Sequence, residues 1–404
     1  MKPRVLHLPK WYPHRYDNQD GDFVARQVAA VAPHVTGAVL FAAVAREPLA
    51  GLTTSEIDWT SATPTLRYYY RAQITGLAPF DKLLKLALYF WCLGQGYRQI
   101  VQHWGGPPQL VHVHVLLRTG LFAWWLRLTR KIPYIVTEHW TLYLPERAHL
   151  ITWLRKSLTK AVIRQAAALH TVSGALQKAM NRLGFVSSRQ AVIANVVDTT
   201  LFMPASIPRV PGQLLIVSSF HDAVKNISGI LRVVAGMRQQ FPHVHLRIAG
   251  YGPDEASLRH VAQELGLLSC GAVVFLGKLS QPEVAQEMQQ ATALVSFSRA
   301  ETFGCVLLEA RAAGCPVVGP ATGGVPELFE PVNSFGLLVS PDDMAGLTQA
   351  LSAVVSGAIT FDAERLTADA AARCSYHKVG GQFADLYREI LGAPTSGFGR
   401  STAS

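Results

Sequence analysis

Residues 293–327 constrain this chain more than any other stretch. A short apolar run over 293–297 reads as a buried strand, and a polar loop follows it. Thr302 and Gly304 open a predicted helix that reaches about Ala313 and stops at Gly314, with Pro316 just beyond. Val317 and Val318 begin another strand. Strand, loop, helix, strand is the building unit of a parallel sheet, and open α/β folds bind ligands at the carboxyl edge of such a sheet. Amides at a helix start in that place suit a phosphate. Glu301 falls in the loop and Glu309 about two turns into the helix. Gly323 and Gly324 supply a second loop where backbones can approach closely. Phosphate-binding amides, a loop acid and a hydroxyl-binding acid in one crevice suit a nucleotide-sugar.

The segment Glu301-Thr-Phe-Gly-Cys-Val-Leu-Leu-Glu309, followed by a Gly-Gly-Val-Pro-Glu turn, resembles the retaining glycosyltransferases of the GT-B fold, family four. Those carry two glutamates separated by seven residues, with Phe-Gly after the first, as here. The resemblance covers essentially the whole chain and is sharpest over 246–339. It implies an α/β fold with two Rossmann-like doubly wound domains facing across a cleft. The expected parts are an acceptor-binding domain over 1–203 and a nucleotide-sugar-binding domain over 204–375. A C-terminal helix over 376–392 has room to pack back on the N-terminal domain, and a disordered tail is expected over 393–404.

Residue by residue, the resemblance places Gly21, in the loop before a helix, near the donor's diphosphate. Lys225 matches a family lysine that meets the same diphosphate. Ser219 stands where the family has an arginine, so one cation is missing from the leaving group, and His221 or Arg299 could substitute. His139 ends a Thr-Glu-His segment whose histidine faces the reacting sugar. Phe275 falls on the strand near which the base stacks. Thr302, Phe303 and Gly304 offer amides to the phosphates. Glu301 is expected on the transferred sugar's hydroxyls, and Glu309 on the ribose diol, which two acceptor oxygens match. Catalytic roles are therefore expected for His139, Glu301 and Lys225, and donor binding for Gly21, Lys225, Phe275, Thr302, Phe303, Gly304 and Glu309.

The implied reaction is retaining transfer of a sugar from a nucleoside diphosphate to a hydroxyl of a saccharide or lipid-linked saccharide, in cell-surface polysaccharide or glycolipid synthesis. No Asp-x-Asp pair occurs where a divalent metal would be needed, so neither metal nor cofactor is expected and the protein supplies the positive field itself. The alternatives are a non-catalytic nucleotide-sugar-binding protein and a GT-B epimerase-like enzyme.

Charge bears on the partner. Residues 1–200 hold 23 Lys and Arg against 10 Asp and Glu, whereas 201–404 hold 14 against 17. A basic first half suits an anionic partner. Nothing resembles a nucleic-acid motif, so no nucleic acid is expected, and contact with an anionic membrane stays open. Over 75–101 leucines and aromatics recur at helical spacing among Lys82, Lys85 and Arg98, which favours a packed helix and leaves a membrane-surface role open. His112 and His114 share one side of a strand and read as packed rather than metal-bound. Five irregularly spaced cysteines form no disulfide framework. With no leader-like apolar core at the amino terminus, the expected home is the cytoplasm, at most peripheral to the inner face of the membrane.

Overall fold

A computed structural model describes residues 2–332 and 334–392, so the tail expected over 393–404 lies outside the described residues. The chain divides into two compact units. One comprises the chain up to Val172, Gln177–Val196 and the segment from Tyr376; the other comprises Ser173–Leu176 and Val197–Ser375. The passage between them falls at Val196–Val197 rather than at 203–204. The proline-rich stretch 204–212 is tied into the second unit: Arg209 donates to the carbonyls of Ala291 at 2.8 Å and Gly314 at 2.6 Å, and the Val210 amide to Gln290 at 2.8 Å.

The first sheet contains β1 (Arg4–Pro9), β2 (Thr36–Val44), β3 (Thr53–Asp58), β4 (Thr65–Tyr70), β5 (Leu110–His114), β6 (Tyr134–Glu138), β7 (Ala168–Thr171) and β8 (Gln190–Val192). Their order is β3-β4-β2-β1-β5-β6-β7-β8, and only β3 runs antiparallel to its neighbour. The second sheet contains β9 (Gln213–Val217), β10 (His245–Ala249), β11 (Val273–Gly277), β12 (Ala293–Val295), β13 (Val317–Pro320) and β14 (Leu337–Val339). It is parallel throughout, in the order β11-β10-β9-β12-β13-β14. Each order turns back beside the unit's first strand, which is the doubly wound pattern and creates a crevice at the carboxyl edge there.

The helices of the first unit are α1 (Asp22–Val31), α2 (Ala78–Trp104), α3 (Arg118–Arg130) and α4 (Trp153–Gln165), and α5 (Gly174–Arg182) begins in the second. The second unit continues with α6 (Asp222–Lys225), α7 (Ile227–Met237), α8 (Glu255–Glu264), α9 (Gln281–Gln290), α10 (Cys305–Ala312), α11 (Met344–Val355) and α12 (Ala363–Cys374). The last helix, α13 (Tyr376–Leu391), returns to the first unit. There Val379, Phe383 and Tyr387 pack with Val5, Ala30, Val31 and Ile135. Helices on both faces explain why β5 and β6 are buried at every position. The pair β3–β4 escaped the sequence reading because β3, Thr-Thr-Ser-Glu-Ile-Asp, is a polar edge strand whose place is set by its partner.

Packing of β1 beside β5 assembles a group that linear spacing hides. His7 is in register with His112, and its ring shares a hydrogen bond of 3.2 Å with His114. Ring atoms of His7, His112 and His114 lie close enough together to meet a metal ion. Both ring nitrogens of His112 are already engaged, however, by the Tyr387 hydroxyl and Thr137 Oγ1, each at 2.6 Å. Thr137 in turn meets His170 Nδ1 at 2.8 Å, and His170 Nε2 meets the Ile193 carbonyl at 2.8 Å. His112 and His114 are core residues of a hydrogen-bonded chain.

Candidate functional site

In the second sheet the crevice lies between the ends of β9 and β12. The chain leaving β9 turns through Ser218–His221 into α6, which carries Lys225; the chain leaving β12 carries Glu301. Their side chains meet at 2.6 Å, Lys225 Nζ to Glu301 Oε2, and are 24% and 16% exposed. A half-buried ion pair at a sheet crossover is able to exchange its internal partner for a charged or hydroxylated ligand, because neither charge is sealed from solvent.

Backbone contacts hold Glu301 in place. The Glu301 carbonyl accepts from the Gly324 amide at 3.2 Å, and the Thr302 carbonyl from Ser173 Oγ at 2.7 Å. Gly323 has φ 55°, and a Cβ there would stand 1.7 Å from the Glu301 carbonyl oxygen, so only glycine fits. Thr302 and Phe303 are buried. Gly304, at φ 91°, is the cap of α10 and gives no side-chain cap. The helix thus starts at Cys305, later than expected, and Glu309 lies little more than one turn in, nearly buried.

In the first unit the equivalent edge gathers other expected residues. Gly21 caps α1 at φ 64°, and a Cβ would lie 2.3 Å from the Trp11 carbonyl, so the loop after β1 closes only over glycine. The next turn brings Phe23 against His139, ring centres 4.6 Å apart. His139 follows β6 directly and is buried, with neither ring nitrogen hydrogen-bonded among the described residues. Burial, with His170 nearby, holds its pKa well below 6.5, so the imidazole is neutral and can accept one hydrogen bond and donate another. Beside it the buried Glu138 carboxylate accepts from the amides of Leu116 at 3.1 Å, His139 at 2.9 Å and Trp140 at 3.0 Å. Burial raises the Glu138 pKa while those three amides pull it down.

Comparison with known proteins decides the family. A family described as "Glycosyl transferases group 1" matches residues 211–356, and one described as "Glycosyl transferase 4-like domain" matches 24–196. A D-inositol 3-phosphate glycosyltransferase of Corynebacterium urealyticum is 30% identical over 73% of this chain and 74% of its own length. The chain belongs to the GT-B glycosyltransferases of family-four type. A glycogen synthase of Mycobacterium tuberculosis is 29% identical over 61% of this chain, and the match spans 60% of that relative's length. The fold matches a sucrose-phosphate synthase from Thermosynechococcus elongatus, with TM-score 0.76 and 21% identity over 97% of this chain and 100% of that one.

Some expected residues of this glycosyltransferase lie apart from the Lys225–Glu301 pair. Phe275 sits on the edge strand β11, against Phe220 at 6.1 Å and under the Arg259 guanidinium at 4.4 Å. Phe220, within the turn after β9, is what links it to the crevice. Arg299, one candidate substitute for the arginine missing at Ser219, lies in the loop after β12 in an ion pair whose members are 39% and 58% exposed. Its guanidinium is bound to Asp342 at 2.8 Å and to the carbonyls of Asp222 and Ala223 at 3.2 and 3.3 Å. His221 remains exposed at the start of α6. Glu327, which closes the Gly-Gly-Val-Pro-Glu turn, received no role from sequence. Its carboxylate accepts from the Gly174 and Ala175 amides at 2.9 and 2.6 Å, pinning the second glycine loop to the start of α5. Among the described residues no helix is long and apolar enough to cross a membrane.

Proposed function

We propose that this glycosyltransferase moves a sugar, with retention and without a metal, from a nucleoside-diphosphate donor to a hydroxyl of a saccharide or lipid-linked saccharide. The observation that carries this reading is the Lys225–Glu301 pair at the crossover of the second sheet, 2.6 Å apart and part-exposed. When the donor enters, Lys225 passes to the diphosphate and Glu301 to the sugar hydroxyls. Glu309 takes the ribose diol, and amides around Phe303 and Gly304 face the phosphates. His139, neutral, accepts from a sugar hydroxyl. The acceptor oxygen bonds the anomeric carbon on the face the diphosphate leaves, and the leaving phosphate oxygen takes the acceptor's proton. Charge developing on that oxygen is met by Lys225 and backbone dipoles.

A thermal-shift screen against UDP-, GDP- and ADP-sugars tests the donor. One base class at a hundred times its dissociation constant should add about 2.7 kcal/mol of stability, and no shift with any of them would end the reading. Serine at 219, where the family has an arginine, favours a second reading, a donor-binding protein without turnover. Tight donor binding with no product across a broad acceptor panel would select it.

The acceptor reading extends to a membrane surface. Leu77, which caps α2, is exposed, and the first half of that helix exposes Phe80, Leu83, Leu84, Leu86 and Trp91, interleaved with Lys82 and Lys85. Leucines exposed around a helix with lysines between them suit the interface of an anionic bilayer. The full chain should pellet with phosphatidylglycerol-containing vesicles at low salt and much less with Phe80→Glu and Leu83→Glu together. Absence of pelleting at low salt, where attraction is greatest, would remove this part.

A further inference from the structure

A cavity of about 490 Å³ opens at the carboxyl edge of the first sheet. The ends of β1, β2 and β4, the turn after β5, Trp140 and Arg155 of α4 enclose it. Its charged lining is lopsided. Lys10, Arg118 and Arg155 share the lining with one acid, Asp20, which lies 3.4 Å from His14, and the buried Glu138 carboxylate, outside the lining, also acts on Lys10. None of the three strong cations forms an ion pair among the described residues, and Arg155 Nε is buried with no hydrogen-bond partner.

Aromatic rings hold these cations instead. Lys10 Nζ lies 3.7 Å and the Arg155 guanidinium 4.5 Å from the Trp140 ring centre, and Arg118 is 5.8 Å from that of Tyr89. Cation–π contact positions a charge without neutralising it. The result is strained electrostatically. Burial lowers the Lys10 pKa to about 8; Glu138 and Asp20 work against that, while Arg155 and Arg118 lower it further. Backbone strain sits on the same rim: Val115 and Leu117 adopt φ of 66° and 100°, which side chains of their kind avoid. The Glu138 carboxylate holds that turn through the Leu116 amide. Crowded cations and an over-determined strained turn at one cavity mark a ligand site.

We propose that this cavity binds a phosphate group carried by the acceptor, clasped by Lys10, Arg118 and Arg155. The proposal rests on the transferase reading and names its acceptor class, a phosphorylated saccharide or a saccharide on a lipid phosphate. The phosphate relieves the mutual repulsion of the three cations and gives Arg155 Nε its missing acceptor.

Calorimetry of the full chain at fixed ionic strength tests this with glucose 6-phosphate and, as the neutral control, glucose. Glucose 6-phosphate should bind and glucose should not. Lys10→Met and Arg155→Met should each weaken binding about tenfold, the scale of one charge-assisted hydrogen bond, and Lys225→Met should leave it unchanged. Arg118→Met, at an exposed position, serves if a core variant does not fold. A second arm replaces the sugar phosphate with phosphatidylcholine vesicles, plain or containing a polyprenyl phosphate. Binding in the first arm assigns a soluble acceptor, and binding only to the doped vesicles a lipid-linked one. Equal binding of glucose, insensitivity to all three cavity substitutions, no binding in either arm, or loss with Lys225→Met alone would overturn the proposal. Donor thermal shifts are read separately, so failure of the transferase reading shows as their loss with anion binding intact.

Discussion

Lys225→Ala should lower kcat by about a hundred- to a thousandfold, the scale of losing one preorganised donor to a developing oxyanion. At the β9–β12 crossover Lys225 Nζ rests on Glu301, a part-exposed partner that a ligand can displace. Arg299 is bound by Asp342 and two carbonyls, and position 219 is serine. Loss of the side chain also strips Glu301 of its partner at 2.6 Å, so stability and chemistry must be separated. A double-mutant cycle with Glu301→Gln does so. If Lys225 serves only to neutralise Glu301, the double variant recovers the activity lost in Lys225→Ala. If it serves the diphosphate, kcat stays depressed in both. A fall of less than about tenfold in kcat, with the fold intact by circular dichroism, would remove Lys225 from the reaction.

Acid should unfold the first unit well above the pH at which ordinary carboxylates titrate. His7, His112, His114, His139 and His170 are all buried in it. Burial lowers the pKa of His7 to about 3 and of His170 to about 4, and holds the other three well below 6.5. In the unfolded chain a histidine titrates near 6.5. Below that pH the unfolded state takes up protons the native state refuses, so stability is full above about 6.5 and is lost as pH falls toward 4. Each histidine contributes a slope of about 1.4 kcal/mol per pH unit. At pH 5 that is about 2 kcal/mol each for His7 and His170, a sizeable part of the ~5–15 kcal/mol that holds a domain folded, and the other three rings act in the same direction. Asp20 opposes the trend, since burial raises its pKa to about 6 and the native state binds a proton there first. Glu138, also raised by burial, acts in the same sense. Urea midpoints by circular dichroism at pH 7.5, 6.0 and 5.0 should fall steeply, and His114→Gln should flatten the slope by about one proton. A midpoint unchanged between pH 7.5 and 5.0 would show that these rings are charged in the folded state or reached by water.

The sequence by itself determined the alternation of strand and helix, the two glutamates after β12, and the glycine loops at 21 and at 323–324. These are local properties. Side-chain period sets the element, and the backbone's allowed angles set where only glycine serves. Helix α10 shows the limit, because its start at Cys305 and the depth of Glu309 depended on a cap the spacing did not specify. Only the tertiary structure decided which charges have partners. Arg299 and Asp342 are 43 positions apart, and nothing in either neighbourhood announces their pairing. Likewise His7 joins His112 and His114 because β1 lies beside β5 in the sheet order, not because of any interval along the chain. Lys10 and Arg155 both reach the Trp140 ring for the same reason. Burial and adjacency are sums over distant segments, so the chemistry that rests on them is set when the sheet orders its strands.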